Sequence, residues 1–272
     1  MLSGDAALAV DWTKDETYDY TARLVDRGWA WEWLRRNPDF RAAWNGARLQ
    51  HGIAGYDGAT TLIVSESNTP RLSQWGCLYC SAPQEDARVA SVFWCPEVCS
   101  SVLKLHAFPM KAQVEATPFF LRDIACPSVL LEMPDGPQHL LFHDGSRSLQ
   151  LVIEGEDVLR PVRLLTDGAP GKALAGPQLR SLLCFNDLRL SGRLYDSHFQ
   201  KELPSQRLRL ILRIVDGVLA GASHREIARI VFADEFSTES WYAPGRPLRD
   251  RVRRALYRGH RLMQKGYLDL LS

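Results

Sequence analysis

The chain of 272 residues lacks any apolar run near the roughly 20 residues that span a bilayer, so no transmembrane helix is expected. Residues 1–10 hold an Asp and no basic cluster. No signal peptide is expected there, and the expected compartment is the cytoplasm. Six cysteines in a chain of this length do not suggest a disulfide scaffold. Neither G-x-G-x-x-G nor a Walker A sequence occurs, so no glycine-rich phosphate cradle is expected. H-E-x-x-H and G-x-S-x-G are also missing. The seven histidines (His51, His106, His139, His143, His198, His224 and His260) are scattered. His139 and His143 would flank a hairpin tip, a weak metal pair at best. No residue set argues for catalysis, and no cofactor or small-molecule substrate is expected. Low-complexity tracts and repeats of 20–50 residues are absent as well.

What the chain does have is a charge split. Residues 201–272 carry 14 Lys+Arg against 8 Asp+Glu, whereas residues 1–199 carry 19 against 24. The whole-chain value of +1 hides this asymmetry. Arg246, Arg249, Arg251, Arg253, Arg254, Arg258 and Arg261 fall in one short stretch. A dense positive field on one helix is what a polyanion-binding surface requires.

Along the chain, the reading is α+β with two domains, 1–175 and 176–272. Residues 11–50 are aromatic and helical by pattern: Trp29, Trp33, Leu34, Phe40 and Trp44 recur at spacings near three and four. Asp15 or Thr17 is the candidate cap, and Asn37-Pro38 breaks the segment in two. Residues 51–175 turn β-rich. The glycines at His51-Gly52, Gly55 and Asp57-Gly58 read as loops. Strands are expected over 60–64, 91–94, 101–106, 129–132 and 162–165, with a hairpin of 138–142 and 148–153 about Asp144-Gly145. This gives a small, mostly antiparallel β region. Pro170, Gly171, Gly176 and Pro177 punctuate the chain before a helix over 178–190. The C-terminal part is all helix. Pro204 precedes a helix over 205–220 stopped by Gly221, and Ser223 with Glu226 forms a capping box. A polar loop over 234–246, holding Trp241, Tyr242 and Pro244, leads to a long helix ending at about 264, before Gly266.

The phrase GASHREIARIVF has the shape of the first helix of a helix-turn-helix, with Ile227 and Ala228 facing the core. The arginine-rich helix takes the recognition role. At about 100° per residue, Arg249, Arg253 and Arg246 lie near one face, with Arg254, Arg258 and Arg261 on an adjoining one. Arginine suits both jobs there, a bidentate fork to guanine and charge-assisted bonds to phosphate. Ser223 and Arg225 join the candidate DNA-contacting set from the first helix. The linking loop of about a dozen residues is longer than the usual three or four, which suggests a variant of the motif. A solvated charged face is the plain alternative. A second constellation, Cys77, Cys80, Cys95 and Cys99, has spacing from which a thiolate zinc site could be built, but buried free thiols are the expected reading, and no metal is assigned. Cys126 and Cys184 read as core.

The phrases DWTKDETYDY…GWAWEWLRRNPDFRAAW and FWCPEVCSSVLKL resemble the transcriptional-regulator-like domain of alphaproteobacterial proteins. The phrase LRLILRIVDGVLAGASHREIARIVF…LRDRVRRALYRGHRLMQKGYLDLL resembles a helix-turn-helix domain of activators and small antiactivators that control excision and transfer of integrative and conjugative elements. The resemblance implies a DNA-binding transcriptional activator, with double-stranded DNA as partner and a small antiactivator as its inhibitor. It places a recognition role on Arg249, Arg253 and Arg254, with Ser223–Phe232 as scaffold. The four cysteines depart from the family pattern. On this reading the N-terminal two-thirds contacts RNA polymerase, another copy or an inhibitor, with Trp29, Trp31 and Trp33 as contacts if exposed. The alternative from another class is an adaptor that binds a related regulator and not DNA.

Overall fold

A computed structural model of the chain describes residues 10–47, 51–57, 59–65, 72–110, 118–166, 176–199, 205–243, 245 and 247–272. Gly58, Pro170, Gly171, Pro204, Pro244 and Arg246, all named above, lie outside the described residues. A 3-10 segment, Asp15–Arg23, opens the fold. Neither Asp15 nor Thr17 caps it. The Thr17 hydroxyl instead donates to the carbonyls of Asp11 and Lys14, and Asp15 holds arginines of the C-terminal part. Helices α1 (Asp26–Leu34) and α2 (Pro38–Ala47) follow. They separate where Asn37-Pro38 predicts: proline fixes φ at the first helical position, and Asn37 Oδ1 accepts from the amides of Asp39 (2.8 Å) and Phe40 (3.1 Å).

Among the described residues nine strands come next: β1 (His51–Asp57), β2 (Thr60–Ser65), β3 (Cys77–Cys80), β4 (Val92–Trp94), β5 (Leu103–Pro109), β6 (Ser128–Glu132), β7 (Gln138–Asp144), β8 (Arg147–Gly155) and β9 (Val162–Thr166). β3 and β4 form a separate ribbon, and the other seven make one sheet in the order β1-β2-β6-β7-β8-β5-β9. The sheet is therefore larger than the small region expected. It is also mixed: β2 pairs parallel with β6 and β5 with β8, while the other neighbours run antiparallel. The central strands β6 and β8 are buried on both faces, as their near-continuous apolar runs require.

Alternate side chains of the sheet feed different cores, following the two-residue period. Leu130, Leu140, Phe142 and Leu151 face α3 (Gly176–Ser191), which covers them with Cys184, Phe185 and Leu188. Val129, Leu131 and Leu141 face the β3–β4 ribbon through Leu78 and Phe93. Helices α4 (Ser205–Leu219), α5 (His224–Val231), α6 (Thr238–Tyr242) and α7 (Pro247–Arg261) complete the chain, with a π turn at Leu262–Gly266 and a 3-10 turn at Leu268–Leu270. Among the described residues no helix is long and apolar enough to cross a membrane.

The largest core joins the two ends of the chain. Trp29, Trp31, Trp33, Leu34 and Phe40 pack in one cluster with Leu212, Val215, Ile227, Val252, Met263 and Tyr267. The three tryptophans are 0, 1 and 0% exposed, so they are core and not a contact surface. Within this cluster lies a fully buried ion network. Arg36 grips Asp216 of α4 with two donors, Nε to Oδ1 at 2.6 Å and Nη2 to Oδ2 at 2.8 Å. Its Nη1 donates to Glu32 Oε2 at 2.5 Å, and the Tyr18 hydroxyl donates to Asp216 Oδ2 at 2.7 Å. Glu32 also accepts from Arg35 and from the amide of Ala87. Burial pushes the Glu32 carboxyl up, but the Arg35 and Arg36 guanidiniums outweigh it and hold the group below the usual carboxylate range.

Removing one member of such a network leaves its partners charged and buried. Arg36→Leu is expected to cost on the order of 3–5 kcal/mol in a denaturant melt, with N-terminal and C-terminal probes lost in one transition. A cost under about 1 kcal/mol would contradict this.

His139, in the centre of the sheet on β7, is 3% exposed, and its Nδ1 has no hydrogen-bond partner. Burial pushes its pKa down to about 4. The unfolded chain therefore takes up a proton near pH 6.5 that the folded chain refuses until about pH 4. Stability contributed by the neutral ring is full above pH 6.5 and falls as pH drops toward 4, by on the order of 3 kcal/mol. His139→Leu should flatten that acid limb in melts run from pH 7 to pH 4. An unchanged limb would show that His139 does not drive it.

Candidate nucleic-acid interface

The C-terminal helices form a compact unit because their apolar positions fall on single faces. In α4, Leu208, Ile211, Leu212 and Val215 are buried, following the spacing of i, i+3, i+4, i+7. Gly221, with φ of 84°, ends this helix in the left-handed conformation that glycine adopts without strain. Ser223 then caps α5: its hydroxyl accepts from the amide of Glu226, and Glu226 Oε2 accepts from the amide of Ser223 at 2.8 Å. The capping box is present as the sequence predicts. Ile227 and Ala228 are fully buried and face the core, again as expected.

α6 was not foreseen, since residues 234–246 read as a polar loop. It is a single turn started by a second capping box, Ser237 with Ser240. Trp241 is its buried anchor. The Ser-x-x-Ser spacing is the signal that could have found it, although Ser is weaker than Glu at the second position.

α7 is the arginine-rich helix. Leu248, Val252, Leu256 and Gly259 form its buried face. Gly259 lies against α4, where a Cβ would overlap Val215 Cγ2, so the close approach of the two helices requires glycine there. The opposite face is solvent. Arg249, Arg253, Arg254, Arg258 and Arg261 are all exposed, on two adjoining faces outside the buried one. Arg253 is 75% exposed, with Asp250 at 3.3 Å on the same helix. Arg258 and Arg261, with Arg207 of α4, rim an apolar hollow formed by Leu208, Ile211, Leu262 and Leu270. Arg246 lies outside the described residues.

Of the two candidates on α5, Arg225 is exposed and stacks over the Tyr242 ring at 5.8 Å. Ser223 is committed to the cap. Arg251, counted in the basic run, behaves differently from its neighbours. It pairs with Glu235 and lies 4.2 Å over the Phe232 ring, holding the α5–α6 connection to α7. Two exposed aromatic residues are not among the sequence candidates for contact. Tyr257, 67% exposed, sits among the arginines of α7, and Tyr242 is 66% exposed. Arg229 of α5 and His260 of α7 are exposed too.

The four cysteines of the earlier pairing are buried and free. Burial raises the Cys77 thiol far above its usual range and pushes Cys95 up to about 11. Cys77, Cys80 and Cys99 pack into the large core, and Cys95 packs under the ribbon. Among the described residues no three His, Cys, Asp or Glu side chains gather as a metal would need. Cys126 and Cys184 lie in the core, as read.

Residues 178–272 match the family model described as "T6SS, Transcription factor, DNA binding domain". Residues 11–76 match that of the "Proteobacterial transcriptional regulator-like domain". The two matches support a DNA-binding transcription regulator. No curated protein matches the chain. The regulator-like segment supplies α1 and α2, and the DNA-binding segment supplies α3 to α7, so the Arg36–Asp216 pair ties one matched segment to the other.

Ile227→Asp tests this packing. A carboxylate placed between α4, α5 and α7 has no partner, so the helical unit should lose cooperative melting at the temperature of the wild type. A normal melting curve would show that α5 packs in a different register.

Proposed function

We propose that the chain is a sequence-specific, DNA-binding transcriptional activator acting in the cytoplasm, with α7 as the helix that enters the major groove. The observation that carries this reading is the solvent face of α7, where five arginines stand on a helix whose other face is anchored to α4 and α5. In this reading, residues 176–272 bind DNA and residues 1–175 carry them. Arg249, Arg253 and Arg254 read base edges, since the N-terminal part of a recognition helix faces the bases. Arg225, Arg258 and Arg261 hold phosphate. Ser223 acts by fixing α5. Tyr257 adds an apolar face between the arginines.

The finer role, activation that controls excision or transfer of a mobile element, rests on the resemblance of the N- and C-terminal phrases. RNA polymerase and a small antiactivator are the protein partners that role implies. With the tryptophans buried, the apolar surface open to such a partner is on α3, where Leu179, Leu183 and Leu190 are 47, 52 and 80% exposed on one helix face.

Sequencing of genomic DNA retained by the purified full-length protein, followed by gel-shift on the best fragment, tests the reading. A short recurring site is expected, with log affinity falling against log salt by about 0.9 per phosphate neutralised. Arg253→Ala should lose about 1–3 kcal/mol on that site. No enrichment from folded protein would favour the adaptor reading, and unchanged affinity in the variant would remove Arg253 from the reading surface.

A further inference from the structure

At the C-terminal end of α7, the apolar hollow rimmed by arginines has a volume of about 420 Å3, within the range of small-molecule pockets. It opens where two elements diverge. Gly259 brings α7 down onto Val215 and Ile211 of α4, and past it the chain leaves the helix through the π turn and folds back. Leu208 and Ile211 of α4 are the buried floor, and Leu262 and Leu270 of the returning chain are half-buried walls. The rim residues Arg207, Arg258 and Arg261 are all exposed. Among the described residues none of these three has a hydrogen bond or an ion pair. Arg209, Arg213 and Arg251, by contrast, are each held by a carboxylate. One acid, Asp269, lines the hollow against the three arginines, so its mouth carries a positive excess over an apolar floor.

We propose that this hollow binds an amphipathic carboxylate, a small molecule with a compact apolar body and one carboxyl group. The apolar body displaces water from the leucine and isoleucine side chains, and the carboxylate takes the rim guanidiniums, whose planar fork matches it. Both halves are needed. A neutral apolar molecule leaves the grouped positive charges unanswered, and a hydrophilic anion leaves the floor wet. A partner helix seats apolar anchors at i, i+3, i+4 and i+7 along an extended groove. A floor and walls of four side chains suit one compact body instead. The functional consequence rests on the reading that α7 binds DNA. Arg258 and Arg261 are assigned there to phosphate, so a carboxylate that engages them competes with DNA, and the small molecule weakens operator binding.

The test is calorimetric titration of the full-length protein with octanoate and, separately, with acetate and with octanol, at ionic strength held constant with sodium chloride. Wild type, Arg207→Gln, Leu262→Gln and Arg249→Ala are compared, and each variant is first checked by its melting curve. Arg207 is exposed, so its variant is expected to fold and carries the test should Leu262→Gln not. Saturable binding of octanoate is expected, about tenfold or more tighter than acetate or octanol. It should weaken about tenfold in Arg207→Gln and in Leu262→Gln and stay unchanged in Arg249→Ala. Three results overturn the site: octanoate does not saturate, acetate or octanol binds as tightly, or Arg207→Gln binds octanoate like the wild type. The first of these would leave the hollow to a segment of a partner protein. Gel-shift of the wild type with saturating octanoate tests the consequence separately, and lower DNA affinity is expected. Octanoate binding through Arg207 with unchanged DNA affinity would keep the site, overturn the competition and take Arg258 and Arg261 off the phosphates.

Discussion

Buried guanidinium groups help hold the two ends of this chain together, Arg36 at the centre of the largest core. Arg36 comes from the turn after α1, yet its strongest partner, Asp216, is on α4, and both side chains are almost wholly out of water. Charges cannot be left there alone, so each must find the other in the folded state. Glu32 and Tyr18 complete the set of partners. Asn37 adds a neutral tie by donating to the carbonyl of Met263 at 2.8 Å. The aromatic helices thus have a fixed seat on the C-terminal helices, and the tryptophans that fill the space between them become core.

The same constraint changes the meaning of the charge split. Part of the C-terminal positive charge is held internally by the acidic N-terminal segment. Arg209 pairs with Asp15 and Asp19, and Arg213 with Asp15. Arg251 is likewise held by Glu235. Among the described residues, the exposed cations left in this part are the other arginines of α7 with Lys265, Arg225 and Arg229 of α5 and Arg207 of α4.

Elements with strong local signals were legible in the sequence. The capping box at Ser223, the stop at Gly221, the break at Asn37-Pro38 and the Asp-Gly hairpin each carry a local mechanism that the tertiary structure does not override. β1 was lost because Gly52 and Gly55 interrupt its alternation, and the strand indeed carries an irregularity between Ile53 and Gly55. β3 carries a weak strand signal because Cys77 and Cys80 have metal-ligand spacing, whereas burial makes them small apolar side chains. The extent of the sheet was illegible for a different reason. The parallel pairs β2–β6 and β5–β8 join strands distant in sequence, and no local pattern encodes such pairing. Among the candidate contacts, periodicity puts Arg249 and Arg253 on one face of α7 and Arg254, Arg258 and Arg261 on an adjoining one, and all five are exposed. It could not separate Arg251, whose partners come from another part of the chain.

Native-state hydrogen exchange on the full-length protein tests most directly whether the two ends form one body. If Arg36 and Asp216 bind them as described, the amides of α1 and α4 should share a single opening free energy and lose protection together as denaturant rises. If α1 exchanges through an opening of much lower free energy while α4 and α7 stay protected, the buried pair does not join them and the account fails.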